Sequence, residues 1–540
     1  MKVSGNIVDV LHKRIFPGTI EILNGRIAGI AEDNRPYNRF ITPGFIDAHI
    51  HIESSMLTPS EFARLAVVHG TVATVSDPHE IANVLGIDGI RFMVENGKSV
   101  PFKFFFGAPS CVPASPFETS GASLGPEEVE ALLAHKEIKF LGEVMNVPGV
   151  LAKDPAVMKR IESARKHGKP VDGHAPGLMG EDLAKYIKAG ISTDHETLSY
   201  EEGVEKLSLG LKLLLREGSA ARNLDIFAPL IDQYPERCMF CSDDKHPHDL
   251  VEGHINEMVK RSVKNGTDVM KVLQCACVNP VIHYDLPVGL LRSGDPGDFL
   301  IVDNLENFII LENYIDGTLV AQEGKTLISS VSAEPVNNFK TQQKAATDFA
   351  VKKCGEVIRV IRAIDGKLIT GSSMNHPKTV NGFAVADIPR DILKIAIVNR
   401  YVDTAPAVGF IKNFGLLRGA IASSVAHDSH NIITVGVEDE SICRAVNLII
   451  RHRGGIALID GGREEILPLP VAGIMANVDR LSVAHRYAEL DRLARDLGSG
   501  LRSPFMTLSF MALPVIPKLK LTDKGLFDGE RFAFTSLFEE

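Results

Sequence analysis

Two different patterns of apolar and polar residues occur in different parts of the chain. Residues 1–40 alternate apolar and polar positions over the stretches KVSGNIVDV and GTIEILNGRIAGIAED. Such alternation is typical of strands with one buried face, and Asn24-Gly25 between alternating runs is a strong hairpin signal. Residues 286–330 return to strand-like patterning. We therefore predict one small β-sandwich domain, split between residues 1–40 and 286–335.

Between these segments, short apolar runs alternate with stretches of helix-like apolar spacing. The runs are FIDAHIH (45–51), TVATVSD (71–77), FKFFFGA (102–108), IKFLGEV (138–144), PVDGH (170–174), ISTDH (191–195), LKLLLRE (211–217) and CMFCSD (238–243). Apolar runs of this kind suit parallel strands that are buried on both faces. The helix-like stretch GEDLAKYIKAG ends on Gly190, a good helix stop. Eight alternations in about 240 residues predict an α/β fold, a (β/α)8 barrel, over residues 41–285.

The remainder of the chain forms a third unit. The polar stretch 331–345, which includes NNFKTQQK, predicts a linker. Residues 336–540 mix strand and helix patterns, so we predict an α+β domain there. A chain of 540 residues is long enough for about three domains, in agreement with this division.

Composition excludes several classes of protein. Apolar residues make up 45% and charged residues 23%, which is ordinary globular composition. A net charge of −10 argues against a nucleic-acid polymer or an anionic membrane as partner, because both require a basic face. The first residues lack the layout of a secretory signal. Seven cysteines, an odd number, do not suggest a disulfide framework, and we expect a cytoplasmic protein.

Polar residues at the ends of the predicted barrel strands carry the candidate chemistry. Catalytic groups in such barrels project from the carboxyl ends of the strands. His49 and His51 are two apart on one strand, so they share a face. The other candidates at strand ends are Glu143, His174, His195 and Asp243. Six ligands exceed the four of a structural zinc. They suit two divalent cations, with one carboxylate bridging and positions left open for water.

The string TPGFIDAHIH resembles the strand-1 signature of the amidohydrolase superfamily. Longer strings resemble the bacterial adenine deaminases within it: IDAHIHIESSMLTPSEFA, SDPHEIANVLGIDGI, CSDDKHP, SSVAHDSHNI and LPVIPKLKLTDKGL. The resemblance runs from residue 1 to the end of the chain. Many superfamily members place a carboxylated lysine on the fourth strand; the resemblance implies that Glu143 takes that bridging role here.

The resemblance also implies an activity. Water activated by two metal ions, Mn²⁺ or Fe²⁺ with Zn²⁺ as an alternative, would attack C6 of adenine and release ammonia and hypoxanthine, a step of purine salvage. Asp243 would accept the proton of the attacking water. The superfamily usually forms homo-oligomers, so a dimer or tetramer is expected. The alternatives are another cyclic amidohydrolase or nucleobase deaminase of the superfamily, or a non-catalytic scaffold on the same fold.

Two further groups of residues are candidates at the same end of the barrel, where the carboxyl ends of the strands form its mouth. Asp77 and Glu80 are candidates for proton relay or recognition of the substrate ring, although the DPHE layout also fits a helix cap. The candidates for substrate binding are Ser54, Ser55, His79, Asp244, His246, His254, His427, Asp428 and His430. Helix capping is the competing interpretation for the two serines, and support of a neighbouring group is that for Asp244. The His427–His430 stretch equally fits a domain interface, a turn network or another metal site.

Overall fold

The computed structural model describes residues 1–539. Its first unit, here called the flanking sheet, is an eight-stranded sheet built from both sides of the barrel segment. Its strands are Lys2–Asp9, Arg14–Leu23, Arg26–Glu32, Phe40–Pro43, Phe299–Val302, Ile310–Ile315, Thr318–Gln322 and Lys325–Thr326. The strand Phe299–Val302 pairs antiparallel with Phe40–Pro43, which joins the two segments. Asn24 and Gly25 both have positive φ, at 50° and 77°, as a two-residue hairpin turn requires.

The second unit is the barrel, and the predicted (β/α)8 fold is confirmed. Barrel strands 1 to 8 are Phe45–Ile50, Thr71–Ser76, Lys103–Ala108, Ile138–Val144, Val171–Gly173, Thr193–Asp194, Lys212–Arg216 and Cys238–Cys241. Strands 1 to 5 pair in parallel in one ladder, and strands 6 to 8 pair in parallel in a second. The amide of Asp243 donates to the carbonyl of His49 at 2.9 Å, and this contact closes strand 8 against strand 1. Every residue of strands 1 and 2 is buried, as a sheet covered on both faces requires.

Helices follow the barrel strands and cover their outer face. They are Pro59–Ala66, His79–Leu85, Ile87–Gly97, Pro126–Ala134, Val147–Leu151, Pro155–Lys166, Gly180–Ala189, Tyr200–Ser208, Leu224–Gln233, Pro247–Glu252, Ile255–Lys264, Val269–Leu273 and Asn279–Tyr284. The predicted helix stop is present, because Gly180–Ala189 ends before Gly190, whose φ is 121°. No helix among the described residues is long and apolar enough to span a bilayer.

The third unit is centred on a second eight-stranded sheet. Strands after residue 350 are Val351–Lys352, Ile358–Arg362, Gly371–Asn375, Lys378–Val380, Phe383–Val385, Ile392–Val398, Ala407–Lys412, Ala420–Ser423, Ile432–Gly436, Gly455–Asp460, Arg463–Pro468, Leu519–Thr522, Gly525–Asp528 and Ala533–Phe534. The helices are Asp439–His452, Arg480–Asp496 and Pro504–Ser509. One face of the sheet packs on Asp439–His452. The other face contributes Ile395, Ile421 and Ile433 to an apolar core continuous with the barrel, so the third domain is packed against the barrel.

Candidate active site

The two histidines of barrel strand 1 lie at its carboxyl end and point to the same side. The Nε2 atoms of His49 and His51 are 3.3 Å apart, and both side chains are buried. Their alternation with buried apolar residues on the strand is what directs both rings inward.

Glu143, from barrel strand 4, lies among the other imidazoles. Its Oε1 atom is 3.4 Å from the Nε2 of His51. Its Oε2 atom is 2.8 Å from the Nδ1 of His174 and 3.1 Å from the Nε2 of His195. Burial opposes ionisation, but His174 and His195 hold the pKa of Glu143 well below its usual range. One carboxylate thus reaches three imidazoles through both of its oxygens.

Asp243 completes the group from the end of barrel strand 8. Its Oδ1 atom is 3.2 Å from the Nε2 of His51 and 3.6 Å from the Nε2 of His49. All six residues expected as metal ligands are therefore brought together. Ligand atoms fall into overlapping triads within 4.8 Å of one another, including His49–His195–Asp243 and Glu143–His174–His195.

The chemistry of this donor set fits divalent metal. Two imidazole nitrogens at 3.3 Å have no hydrogen bond between them unless one ring carries a proton there. The Nδ1 atoms of His49 and His195 are buried without a hydrogen-bond partner among the described residues. Four imidazoles and two carboxylates in a buried cleft, with no thiolate among them, are ligands that zinc, manganese and iron accept.

Sequence reasoning missed Arg216, which ends barrel strand 7. Its Nη1 atom donates to Oδ2 of Asp243 at 2.5 Å and to a carboxylate oxygen of Glu196. Burial would raise the pKa of Asp243, but Arg216 and His51 hold it well below its usual range. The signal was present in the sequence, because Arg216 is the next-to-last residue of the run LKLLLRE, as Glu143 is of IKFLGEV. The arrangement leaves Oδ1 of Asp243 directed at the histidines.

Asp77 and His79 follow barrel strand 2 and contact the same group. Oδ2 of Asp77 accepts a hydrogen bond from the backbone amide of Glu143 at 2.9 Å. The Nδ1 of His79 is 3.5 Å from Oε1 of Glu143. The helix-cap interpretation is wrong for Asp77, because the helix His79–Leu85 is preceded by Pro78 and has no side-chain cap. Asp77 instead fixes the backbone that carries Glu143.

Glu80 joins the barrel to the third domain. One of its carboxylate oxygens accepts from Nδ1 of His427 and the other from Nε2 of His430. Burial opposes ionisation, yet His427 and His430 hold the pKa of Glu80 well below its usual range. The ring of His427 also stacks on Phe510, with 4.4 Å between centroids. The third domain therefore reaches the barrel mouth through its two histidines.

Two atoms beside this pairing remain without a partner. Nε2 of His427 and Oδ2 of Asp428 are buried and form no hydrogen bond with the described residues. Burial and the nearby Glu80 raise the pKa of Asp428 to about 6. A ligand atom that entered the mouth would find an imidazole and a carboxyl group available.

The remaining residues expected around the substrate differ in what they contact. Ser54 donates to Asp244 at 2.5 Å, and Asp244 directly follows Asp243 in the sequence. By contrast, Ser55 donates to the carbonyl of Ile52 within its own turn, at 2.6 Å. Nδ1 of His246 lies 2.7 Å from the hydroxyl of Tyr487, in the third domain, and burial lowers its pKa to about 3.

His254 is not brought to the mouth. Its Nε2 is 2.8 Å from Asp47, two residues before His49 on barrel strand 1, and its Nδ1 is 2.7 Å from Thr71. Thr71 is the first residue of barrel strand 2, so His254 lies towards the opposite end of the barrel. Its ring also lies against Phe62 of the helix Pro59–Ala66, at 5.8 Å between centroids, so its contacts belong to the packing between strand 1 and the helices.

Comparison with known proteins gives matches over the whole chain. Residues 40–368 match the amidohydrolase family, and residues 367–533 match the adenine deaminase C-terminal domain. An adenine deaminase from Sulfurovum sp. (strain NBC37-1) is 54% identical over 535 residues, which are 99% of each chain. One from Salinibacter ruber is 52% identical over 538 residues, 99% of this chain and 98% of that one. One from Borreliella burgdorferi is 49% identical over 99% of each chain.

Proposed function

The chain belongs to the adenine deaminase family of amidohydrolases, and we propose that its barrel mouth hydrolyses adenine at C6, releasing ammonia and hypoxanthine. The observation that carries the proposal is the convergence of His49, His51, His174, His195, Glu143 and Asp243 at one end of the barrel. The match to the adenine deaminase C-terminal domain favours this activity over that of another cyclic amidohydrolase. A scaffold without catalysis would not need a complete set of ligand residues in a largely enclosed site.

These six residues would hold two divalent cations. His49, His51 and Asp243 would bind one, His174 and His195 the other, and Glu143 would be shared between them. When bound in such a set, the cations activate water as a nucleophile and stabilise developing negative charge. Mn²⁺ and Fe²⁺ are the ions that we propose, with Zn²⁺ as an alternative, since all three accept imidazole and carboxylate ligands.

Asp243 would move the proton. Arg216 holds its Oδ2 atom and keeps the carboxylate ionised, while Oδ1 faces the imidazoles. From that position Asp243 can accept the proton of the attacking water and pass it to a ring nitrogen or to the departing amine. General acid–base transfer of this kind contributes roughly 10²–10⁴-fold to a rate. Ammonia then leaves as the bond from C6 to the amino nitrogen breaks and the oxygen added to C6 becomes the carbonyl of hypoxanthine.

The third domain would hold the purine ring. Nε2 of His427 and Oδ2 of Asp428 are buried and free to bond the edge of the base. His79, between Glu80 and Glu143, lies on the same side of the mouth. Asp244, held by Ser54, would face the ring from the opposite loop. Enclosure by the third domain would also exclude bulk water from the reaction.

The experiment that tests the proposal is a release assay with defined metals. Purified protein is stripped with a chelator, reloaded with Mn²⁺ or Fe²⁺, and assayed for ammonia from adenine, adenosine and 6-substituted purines. We expect turnover of adenine, and we expect Asp243→Asn to abolish it while metal is partly retained. Asp225→Asn, an exposed carboxylate on the barrel surface, is the matched control and should retain activity. Absence of adenine turnover with both metals bound would exclude this substrate.

We further propose a homo-oligomer, a dimer or tetramer, that works in the cytoplasm in purine salvage. The support is the resemblance to the family, together with seven free thiols that a reducing compartment would preserve. Light scattering of the purified protein decides the number of subunits.

A further inference from the structure

A buried lysine lies directly behind two of the proposed metal ligands. Lys206, on the helix Tyr200–Ser208, is fully buried. Its Nζ atom donates to the carbonyl of Ala175 at 2.7 Å, to Oδ2 of Asp194 at 2.9 Å and to Oε1 of Glu202 at 2.6 Å. A charge at this depth is stable only with such partners, and here all three donors of the ammonium group are used.

The partners of Lys206 are next to ligands in the sequence. Ala175 follows His174, and Asp194 precedes His195. The two segments are also joined to each other, because the amide of Ala175 donates to Oδ1 of Asp194 at 2.7 Å. Lys206 therefore contacts the backbone of the first segment and the side chain of the second.

The lysine lies where the barrel sheet is interrupted. Barrel strands 5 and 6 belong to separate ladders, of five and three strands. At the other junction, between strands 8 and 1, backbone hydrogen bonds join Asp243 directly to His49 and His51. Between strands 5 and 6, the amide of Ser192 donates to the carbonyl of Val171 at 2.9 Å near the amino ends. At the carboxyl end, the contacts run instead through the side chains of Asp194 and Lys206. At the carboxyl ends, beside His174 and His195, side-chain contacts therefore take the place of backbone pairing.

We propose that Lys206 is a positioning residue for the metal position formed by Glu143, His174 and His195. It sets the spacing of the carboxyl ends of barrel strands 5 and 6, and hence of the two imidazoles. Among the described residues, its hydrogen bonds go to the three groups above and to Thr197, and none goes to the segments that carry His49, His51 or Asp243. The inference rests on the two-cation arrangement proposed above, and it predicts a defect in one cation site only.

The test measures metal binding, not turnover. Metal-free protein is titrated with Mn²⁺, free ion is counted by electron paramagnetic resonance, and the spin-coupled signal of a cation pair is recorded. We expect Lys206→Met to keep one tight site and to weaken the second by about tenfold or more, the usual cost of losing a partner behind a ligand. The spin-coupled signal should appear only at higher Mn²⁺ in that variant. Lys206→Gln, which keeps a donor at the position, replaces the methionine variant if that one does not fold.

The control is a lysine of the same kind away from the site. Lys394 is buried in the third domain and donates to Asp439 at 2.6 Å and to the carbonyl of Phe349 at 3.0 Å. Lys394→Met should bind two ions as the natural protein does. Equal weakening of both sites in a folded Lys206 variant, or unchanged binding at both, would overturn the inference. Fewer than two Mn²⁺ in the natural protein would instead overturn the two-cation arrangement.

Discussion

The carboxylate of Glu80 in the barrel accepts a hydrogen bond from Nε2 of His430 in the third domain. The two residues are 350 positions apart in the chain. Because His79 lies beside Glu80 and reaches Glu143, this contact connects the third domain to the centre of the barrel mouth. The third domain therefore lines the site in addition to packing against the barrel.

Replacing Glu80 with glutamine should damage both stability and activity. A neutral amide leaves the buried ring of His427 without the negative charge that stabilises it. Breaking a buried pair from one side typically costs about 3–5 kcal/mol. We expect denaturant unfolding to show a loss of this order and ammonia release from adenine to fall. Glu201→Gln, an exposed carboxylate at the start of the helix Tyr200–Ser208, should change neither. A Glu80→Gln protein that matches the natural one in both measurements would show that the contact is dispensable.

Stability should depend on pH through His427. Burial lowers the pKa of this histidine, but the Glu80 carboxylate outweighs burial and raises it from 6.5 to about 9. The stabilisation is therefore fully present below pH 6.5 and is lost as pH rises through 9, and a shift of this size corresponds to roughly 3 kcal/mol. We expect the natural protein to have a higher free energy of unfolding than His427→Gln below pH 6.5. This difference should disappear as the pH rises through 9, as measured by denaturant unfolding.

The measurement should compare the free energies of unfolding of the natural protein and of His427→Gln at each pH, because another group titrates in the opposite sense. Burial lowers the pKa of Lys520 from 10.5 to about 7, so its neutralisation makes the fold more stable as pH rises between these values. Lys520 is present in both proteins, and its contribution cancels in the difference. A difference that stays constant from pH 6 to 10 would contradict the assignment to His427.

Arg216 should be essential for the folded site even without metal. Removing its guanidinium leaves Glu196 and Asp243 buried without their counter-charge. We expect Arg216→Met to lower the free energy of unfolding by about 3–5 kcal/mol. Adding Glu196→Gln to that variant should recover part of the loss, since it removes one of the two uncompensated charges. Simple additivity of the two substitutions in denaturant unfolding would mean that the residues do not act as a pair.

The sequence was sufficient to predict the parts of the site that follow from local periodicity. Eight apolar runs give the barrel strands, and a period of two places His49 and His51 on one face. Because catalytic residues of such barrels lie at the carboxyl ends of the strands, Glu143, His174 and Asp243 could also be predicted as ligands. Their mutual distances agree with that expectation.

The remaining contacts depend on packing between distant segments, which periodicity does not encode. Lys206 appears as an ordinary helix residue in the sequence, and only the approach of Asp194 and Ala175 reveals its surroundings. His254 has the residue type of a ligand, yet it bonds Asp47 of barrel strand 1, away from the six ligand residues. The pairing of Glu80 with the third domain could not be predicted, because it depends on how the two domains pack together.

The pairing of Glu80 with His427 and His430 has a consequence for the order in which the protein is made. Ribosomes synthesise the barrel first, and the two histidines emerge more than 340 residues after Glu80. A nascent chain that has completed its barrel therefore still lacks the partners of this carboxylate. The catalytic cleft is finished only late in translation, so an interrupted chain would carry a barrel with an open, incomplete mouth.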